Sequence, residues 1–472
     1  MKNMSLIALL VILSMASCDD TGGAAGTPDG KGGATIFKSF NRALQYGTGL
    51  PDSYRWTDYH SIAQKFHDLA FDASAAGTFL PLSWPVGGNI GMATYVGDSR
   101  AGQYAEGITL IPALISAGVN GFNTAGKLAS ANTFFNVSEG VITNNPGGRS
   151  ADQSMWYILY PAILYTQLSL LHETDTTLRA NSLTTIGRWY EAYQVMKSYF
   201  ASTQTTQFEI RSYDFALNTP VLKSSSKNWR EPDCAAGMAV LFYTGYKLTG
   251  DQKYLDAATY LLNWLASLDG GPLYEVLHYY TPALMAVLND FHGGSYDITK
   301  ILNQVFDGYS GARSDWGSVT GKWGSYPVNG LFGSTKDRGG YAFAMNTFAA
   351  AGALAPLVRY DTRYAQSIGK WLLHLHSNSR YFFSGEVNPS YQSLSQISGL
   401  GISPQVLDAI PYEGIIKEHK GKIPWVGGDP LINNWAATDF SLYSGAHTGI
   451  LGVLFSRTDQ EGILRACLIS PQ

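Results

Sequence analysis

The sequence predicts an all-α protein built as a ring of helical hairpins, and three observations carry that expectation. Apolar residues recur at helical spacing through most of the chain, whereas strand-like alternation is confined to short pieces such as Gln207–Leu217. Two segments share one pattern: Tyr246–Ala257 with Trp264–Leu265 beyond it, and Leu357–Ala365 followed by Trp371–Leu372. In each, a helix of small residues ends, a polar turn carries an Asp, and a second helix begins with Tyr and later presents Trp–Leu. The two copies lie roughly 110 residues apart, too far for one solenoid repeat and suited to two hairpin units. Thirdly, helices rich in Ala, Gly and aromatics alternate with more amphipathic ones, as inner and outer layers would. A closed ring is the expected arrangement, with an open helical array as its structural alternative.

Taken in order, the chain begins with a short basic start, Met1–Lys2–Asn3–Met4, and the apolar run Ser5–Leu13, which is too short to span a bilayer as a stable helix. Residues 1–17 therefore read as a signal peptide. The run closes in Ser14–Met15–Ala16–Ser17–Cys18, which resembles the lipobox of bacterial lipoproteins; that resemblance implies lipidation of Cys18 and a lipid-anchored place in the bacterial cell envelope, periplasmic or outer-membrane. Residues 18–34, rich in Gly, Ala, Thr and Asp, read as a flexible tether, and 35–472 as a single domain. Asp58 to Ala76 places Ile62, Phe66, Leu69, Ala70 and Ala73 on one helical face. The spacing predicts further helices over Tyr104–Ala117, Asp152–His172, Leu178–Phe200, Asp233–Leu248 and Gln252–Leu268. Pro282–His292, Ile298–Phe306, Gly340–Val358 and Arg363–His376 continue the series.

Between the helices lie loops rich in Trp and Gly: Trp84–Pro85, Asn228–Asp233, Asp315–Trp316, Trp323–Pro327 and Trp425–Pro430. With this hairpin spacing, the small-residue helices, and a tail Tyr443–Gly452 that reads as a closing helix, the chain resembles the (α/α)6-toroid, or six-hairpin, glycosidases and polysaccharide lyases. The resemblance runs from about Asp58 onward and implies the toroid fold and a carbohydrate substrate. It does not carry catalytic residues across by alignment.

Composition narrows the partners. Charged residues are sparse at 14% and the net charge is −4, so the clustered Lys and Arg that nucleic acid requires are missing. Aromatics are abundant, with 29 Tyr, 21 Phe and 11 Trp, and glycine numbers 51. Rings stack on the C–H faces of sugars while a few fixed polar groups take the hydroxyls, as a carbohydrate cleft demands. Besides Cys18 only Cys234 and Cys467 remain, so neither a disulfide framework nor a thiolate metal site is expected. Neither a metal nor a cofactor is expected.

Glycoside hydrolysis generally uses a carboxylic acid to protonate the leaving oxygen and a carboxylate to activate water or attack carbon. Carboxylates in Gly- or aromatic-rich contexts are Asp98, Glu106, Glu231, Asp233, Glu275, Asp315, Glu386, Glu413, Asp429 and Asp439. Glu231 and Asp233 lead, because Trp229 and Arg230 stand beside them at the start of a helix; the competing reading is that both cap that helix. Asp315 follows, ahead of Trp316 in a Gly/Ser loop. Trp84, Trp229, Trp316 and Trp323 are candidate sugar platforms. Arg100, Arg230, Arg313 and Arg338 lie in loops beside these acids, where a guanidinium fork suits an acidic sugar or an internal ion pair. For a lyase acting on a uronate, His278 and Tyr279 beside Glu275 are the candidate base. No His-Glu-x-x-His segment, Gly-x-Ser-x-Gly elbow or P-loop is present. The expectation is a glycoside hydrolase acting on a poly- or oligosaccharide, neutral or acidic; the alternatives are a polysaccharide lyase of a uronate-containing glycan and a surface glycan-binding lipoprotein without catalysis.

Overall fold

The computed structural model describes residues 36–455 except 48–49, 101–104, 204–207, 223–228, 309–312, 314, 398 and 429–435. The signal-like segment, Cys18, the tether, Asp429 and Cys467 lie outside the described residues. Eleven long helices organise it: α1 (Tyr59–Ala70), α2 (Gly107–Asn120), α3 (Met155–Leu171), α4 (Thr176–Thr203), α5 (Cys234–Thr249), α6 (Gln252–Ser267), α7 (Thr281–Phe291), α8 (Ile298–Phe306), α9 (Ala344–Leu354), α10 (Ala365–Ser379) and α11 (Leu442–Leu454).

Their starts follow from local chemistry. Asp58, Asp251, Asp297 and Ser441 each accept a backbone N–H from the first turn of α1, α6, α8 and α11, supplying a partner to donors the helix itself leaves free. Helix α5 ends at Gly250 in the left-handed region (φ 71°), where a residue lacking Cβ meets no penalty.

Among the described residues, α2, α3, α5, α7, α9 and α11 form a closed inner ring. α2 packs on α3, α3 on α5, and α5 on α7 and the 3₁₀ turn Leu277–Tyr280 that precedes it; that turn and α7 pack on α9, α9 packs on α11, and α11 returns to α2. Outside it, α1 lies against α11 and α2, α4 against α3 and α5, α6 against α5, α8 against α7 and α10 against α9. Between α2 and α3 the outer place is taken by the 3₁₀ segment Leu128–Phe134. The chain is thus an all-α toroid of hairpins, closed rather than open. Every residue of α9 and α11 is buried, which explains why these inner helices are made almost wholly of small and apolar residues, with Asn346 and His447 as exceptions.

Most helix ends move by one to three residues from the periodicity, the first helix stops at Ala70 rather than Ala76, and two further differences bear on the site. The expected helix over Gly340–Val358 begins instead with a strand, Tyr341–Phe343, because its backbone groups pair with neighbours on both sides. That strand is β3 of a five-stranded antiparallel sheet whose others are β1 (Trp316–Ser318), β2 (Phe332–Ser334), β4 (Gly414–Ile416) and β5 (Trp425–Val426), in spatial order β5-β4-β3-β2-β1. Helix α2 starts at Gly107, so Glu106 is left at the helix entrance in extended backbone (φ −121°, ψ 131°).

Candidate active site

The amino ends of α2 and α3, with Trp229 ahead of α5 and the residues that lead into Leu277–Tyr280, surround a cleft of about 530 Å³. Helix amino ends gather unpaired N–H groups and partial positive charge, so the mouth favours acidic side chains and anionic ligands. Trp156 and Tyr157, on the first turn of α3, and Trp229 and Tyr274 line it with rings. Three carboxyl groups line it as well: Glu106, Asp152 and Glu275.

These three differ in state. Glu106 is buried, its backbone N–H donates to the Met92 carbonyl at 3.0 Å, and its Oε2 has no hydrogen-bond partner. Burial pushes its carboxyl above the ordinary range, and the Thr94 hydroxyl, the Arg100 guanidinium and the Asn144 side chain only partly oppose this. Asp152 closes the 3₁₀ turn Ser150–Asp152 ahead of α3 and is exposed. Glu275 is buried and committed: Oε1 is ion-paired with Arg313, and Oε2 accepts from Asn346 Nδ2 at 3.2 Å.

The cleft also holds Arg100, Arg211 and Arg313. Arg100 grips Asp98 in a fork, Nε to Oδ1 at 3.1 Å and Nη2 to Oδ2 at 2.9 Å. Arg313 lies over the Trp316 ring at 4.2 Å. Arg211 stands 5.8 Å over the Trp229 ring.

Of the residues singled out by sequence, Trp229 and Arg100 reach this cleft, together with Glu106, Glu275 and Arg313 from the wider candidate sets. Glu231 and Asp233 lie beneath it, fully buried and outside its lining. Glu231 Oε2 accepts from the Trp156 backbone N–H at 2.7 Å and Oε1 from Trp229 Nε1 at 3.1 Å. Asp233 Oδ2 accepts from the N–H groups of Tyr274 (3.1 Å) and Glu275 (3.4 Å). Both therefore tie helix and turn entrances together. Burial raises both carboxyl groups, Asp233 to about 7, and for Glu231 the neighbouring Asp233 charge adds to the effect.

The others lie elsewhere. Asp315 sits at φ 47° and pairs with Lys336 at 2.6 Å, outside the cleft lining. Arg230 pairs with Glu209 at 2.7 Å. Trp316 and Trp323 are buried, and Trp84 belongs to the hairpin Ser83–Val86/Asn89–Met92. His278 is fully buried against Thr281 Oγ1 at 3.0 Å, and burial lowers its imidazole to about 3; Tyr279 packs on Phe332. Glu386 pairs with Arg55, Glu413 accepts from the Tyr443 hydroxyl at 2.8 Å and from Tyr95, and Asp439 accepts from Ser393. Asp152, Trp156, Tyr157, Arg211 and Tyr274 were not singled out as site residues by the sequence. Asp152 read as the start of a helix and Arg211 as part of a strand-like piece.

No family model and no curated protein sequence matches the chain. Similar solved structures include a family 76 glycoside hydrolase from a bovine Bacteroides thetaiotaomicron strain, 11% identical, TM-score 0.47, matching 84% of this chain and 77% of that one. A family 76 glycoside hydrolase (mannosidase) from Bacteroides thetaiotaomicron VPI-5482 is 10% identical, TM-score 0.44, over 84% of this chain and 99% of its own. The cellobiose 2-epimerase of Spirochaeta thermophila DSM 6192 is 10% identical, TM-score 0.46, over 84% of this chain and 96% of its own. These are likenesses of helical arrangement at remote identity, and the roles of the cleft residues rest on this chain's own geometry.

Proposed function

We propose that the protein is a glycoside hydrolase that cleaves a poly- or oligosaccharide in this cleft by carboxyl acid/base catalysis. One observation carries the reading: Glu106 is a buried carboxyl with a raised pKa and an oxygen without a partner, set in the wall of a Trp- and Tyr-lined cleft. A carboxyl in that state keeps its proton where an ordinary one has lost it, as a donor to a leaving glycosidic oxygen must. Asp152, exposed on the same cleft, is the second carboxyl, which activates water or attacks the anomeric carbon. Trp156, Tyr157 and Trp229 offer faces for sugar rings.

The test is incubation of the purified protein with plant, host and bacterial polysaccharides, reading both new reducing ends and the ultraviolet absorbance of unsaturated uronates. Reducing ends without that absorbance, lost in Glu106→Gln and Asp152→Asn while glycan binding persists, are expected. Absorbance would assign elimination instead of hydrolysis, and binding without either signal would make this a glycan-binding protein.

A further inference from the structure

Arg211 differs from the other guanidinium groups of the cleft. Its backbone is fixed on both sides: its N–H donates to the Val221 carbonyl at 3.2 Å, and its own carbonyl accepts from Met155 N–H at 2.9 Å. The residue is only 6% exposed, yet it lines the cleft. Nη2 donates to the Ala151 carbonyl at 3.0 Å, and the guanidinium stands over the Trp229 ring. Among the described residues no carboxylate pairs with it, whereas Arg100 has Asp98 and Arg313 has Glu275. A guanidinium stays charged when buried, and burying it without an anion is costly, so such a group is normally matched by one.

We propose that Arg211 receives an anionic substituent of the glycan, a uronate carboxylate or a sulfate ester, and that the cleft accordingly selects acidic glycans. The inference rests on the glycan-binding reading of the cleft given above. Arg100 and Arg313 are balanced by their own acids, so among the described residues Arg211 is the cleft guanidinium without a carboxylate partner. Its fork can donate two parallel N–H bonds to such an anion, while Trp229, on which it stands, offers a ring face to a sugar.

The experiment is calorimetric titration of the full chain with paired oligosaccharides: uronate-containing, the same carboxyl-reduced, and sulfated neutral. The acidic member should bind on the order of tenfold or more tightly than its reduced partner, with affinity falling as salt rises. Arg211→Met should abolish that difference while leaving affinity for the neutral form, and Arg211→Lys should keep only part of it. Preference for the uronate or the sulfated member tells the two sources apart. Equal affinity within each pair in the unmutated protein, no binding of any acidic member, or an equal loss for both members in Arg211→Met would overturn the inference. Since binding is read without turnover, an acidic preference without cleavage leaves Arg211's role standing and removes the hydrolase reading. Cleavage with no acidic preference, equally fast for both members of a pair and unchanged for both in Arg211→Met, does the reverse.

Discussion

At the scale of single residues, three buried carboxyl groups near one mouth are distinguished by what their oxygens touch. Glu231 spends both oxygens on the Trp156 backbone N–H and the Trp229 indole, Asp233 commits Oδ2 to backbone N–H groups and leaves Oδ1 unpaired beneath the cleft, and Glu106 leaves Oε2 without a partner in the cleft wall itself. Glu106→Gln is therefore expected to lower the rate of glycan cleavage about 10²–10⁴-fold with little effect on unfolding. In the unmutated protein the rate should fall as pH rises through the raised Glu106 value, since the donor must carry its proton; a pH profile of kcat/KM measures this. Glu231→Ala should act oppositely, stripping partners from Trp156 N–H and Trp229 Nε1 and leaving a cavity. A loss of about 2–4 kcal/mol is expected, read by denaturant unfolding. Glu231 and Asp233 stood out in the sequence because Trp229 and Arg230 are beside them. Which way a carboxylate turns depends on the N–H groups that the rest of the fold brings to it, Tyr274 and Glu275 for Asp233, and one stretch of sequence does not contain that information.

At the scale of elements, the legible parts were those with a period. Amphipathic α1 and the largely small or apolar α9 and α11 announce their layer, while a strand as short as Tyr341–Phe343 leaves little alternation to read. Arg211 fell within the strand-like piece Gln207–Leu217, and that alternation marks a strand without telling that the residue before it lines a cleft. Glycines show how close the helices run. A Cβ at Gly445 would meet the Phe66 ring of α1 at 2.5 Å, and one at Gly449 would fall 2.7 Å from Ser116 Cβ of α2. Gly449→Ala should thus destabilise by about 1–3 kcal/mol through forced separation of α2 and α11. Gly187, within α4, has nothing within 4 Å of such a Cβ. Gly187→Ala should stabilise by about 0.5–1 kcal/mol, because alanine restricts the unfolded chain and favours helix. Thermal unfolding of both variants checks the contrast.

At the scale of the whole molecule, opposed titrations set the pH of greatest stability. Burial lowers His278 to about 3 and His374, His376 and His447 to about 4, against an ordinary 6.5. Their contribution is fully present above 6.5 and is lost as pH falls towards these values. Asp233 and Glu231, raised above their ordinary values, contribute in the other sense: their stabilisation is complete in acid and is lost as pH rises, for Asp233 through about 7. Below pH 6.5 the four strongly lowered imidazoles lose stability as acid is added, and above it their contribution is complete while the raised carboxyls, Glu106 among them, keep eroding stability. Melting temperature should therefore peak near about pH 6.5 and decline on both sides, in a scan from acid to mild alkali. A monotonic rise with pH would contradict this balance. The ring itself was anticipated from its hairpins, yet its closure depends on contacts between its first and last helices that periodicity cannot supply. That joint has a consequence for biosynthesis. The surfaces of α1 and α2 that receive α11 leave the ribosome before α3 to α10 do, but their partner follows only after all of those. Until it arrives, the nascent chain must carry those apolar surfaces bare, as an unfinished circle in need of protection from aggregation.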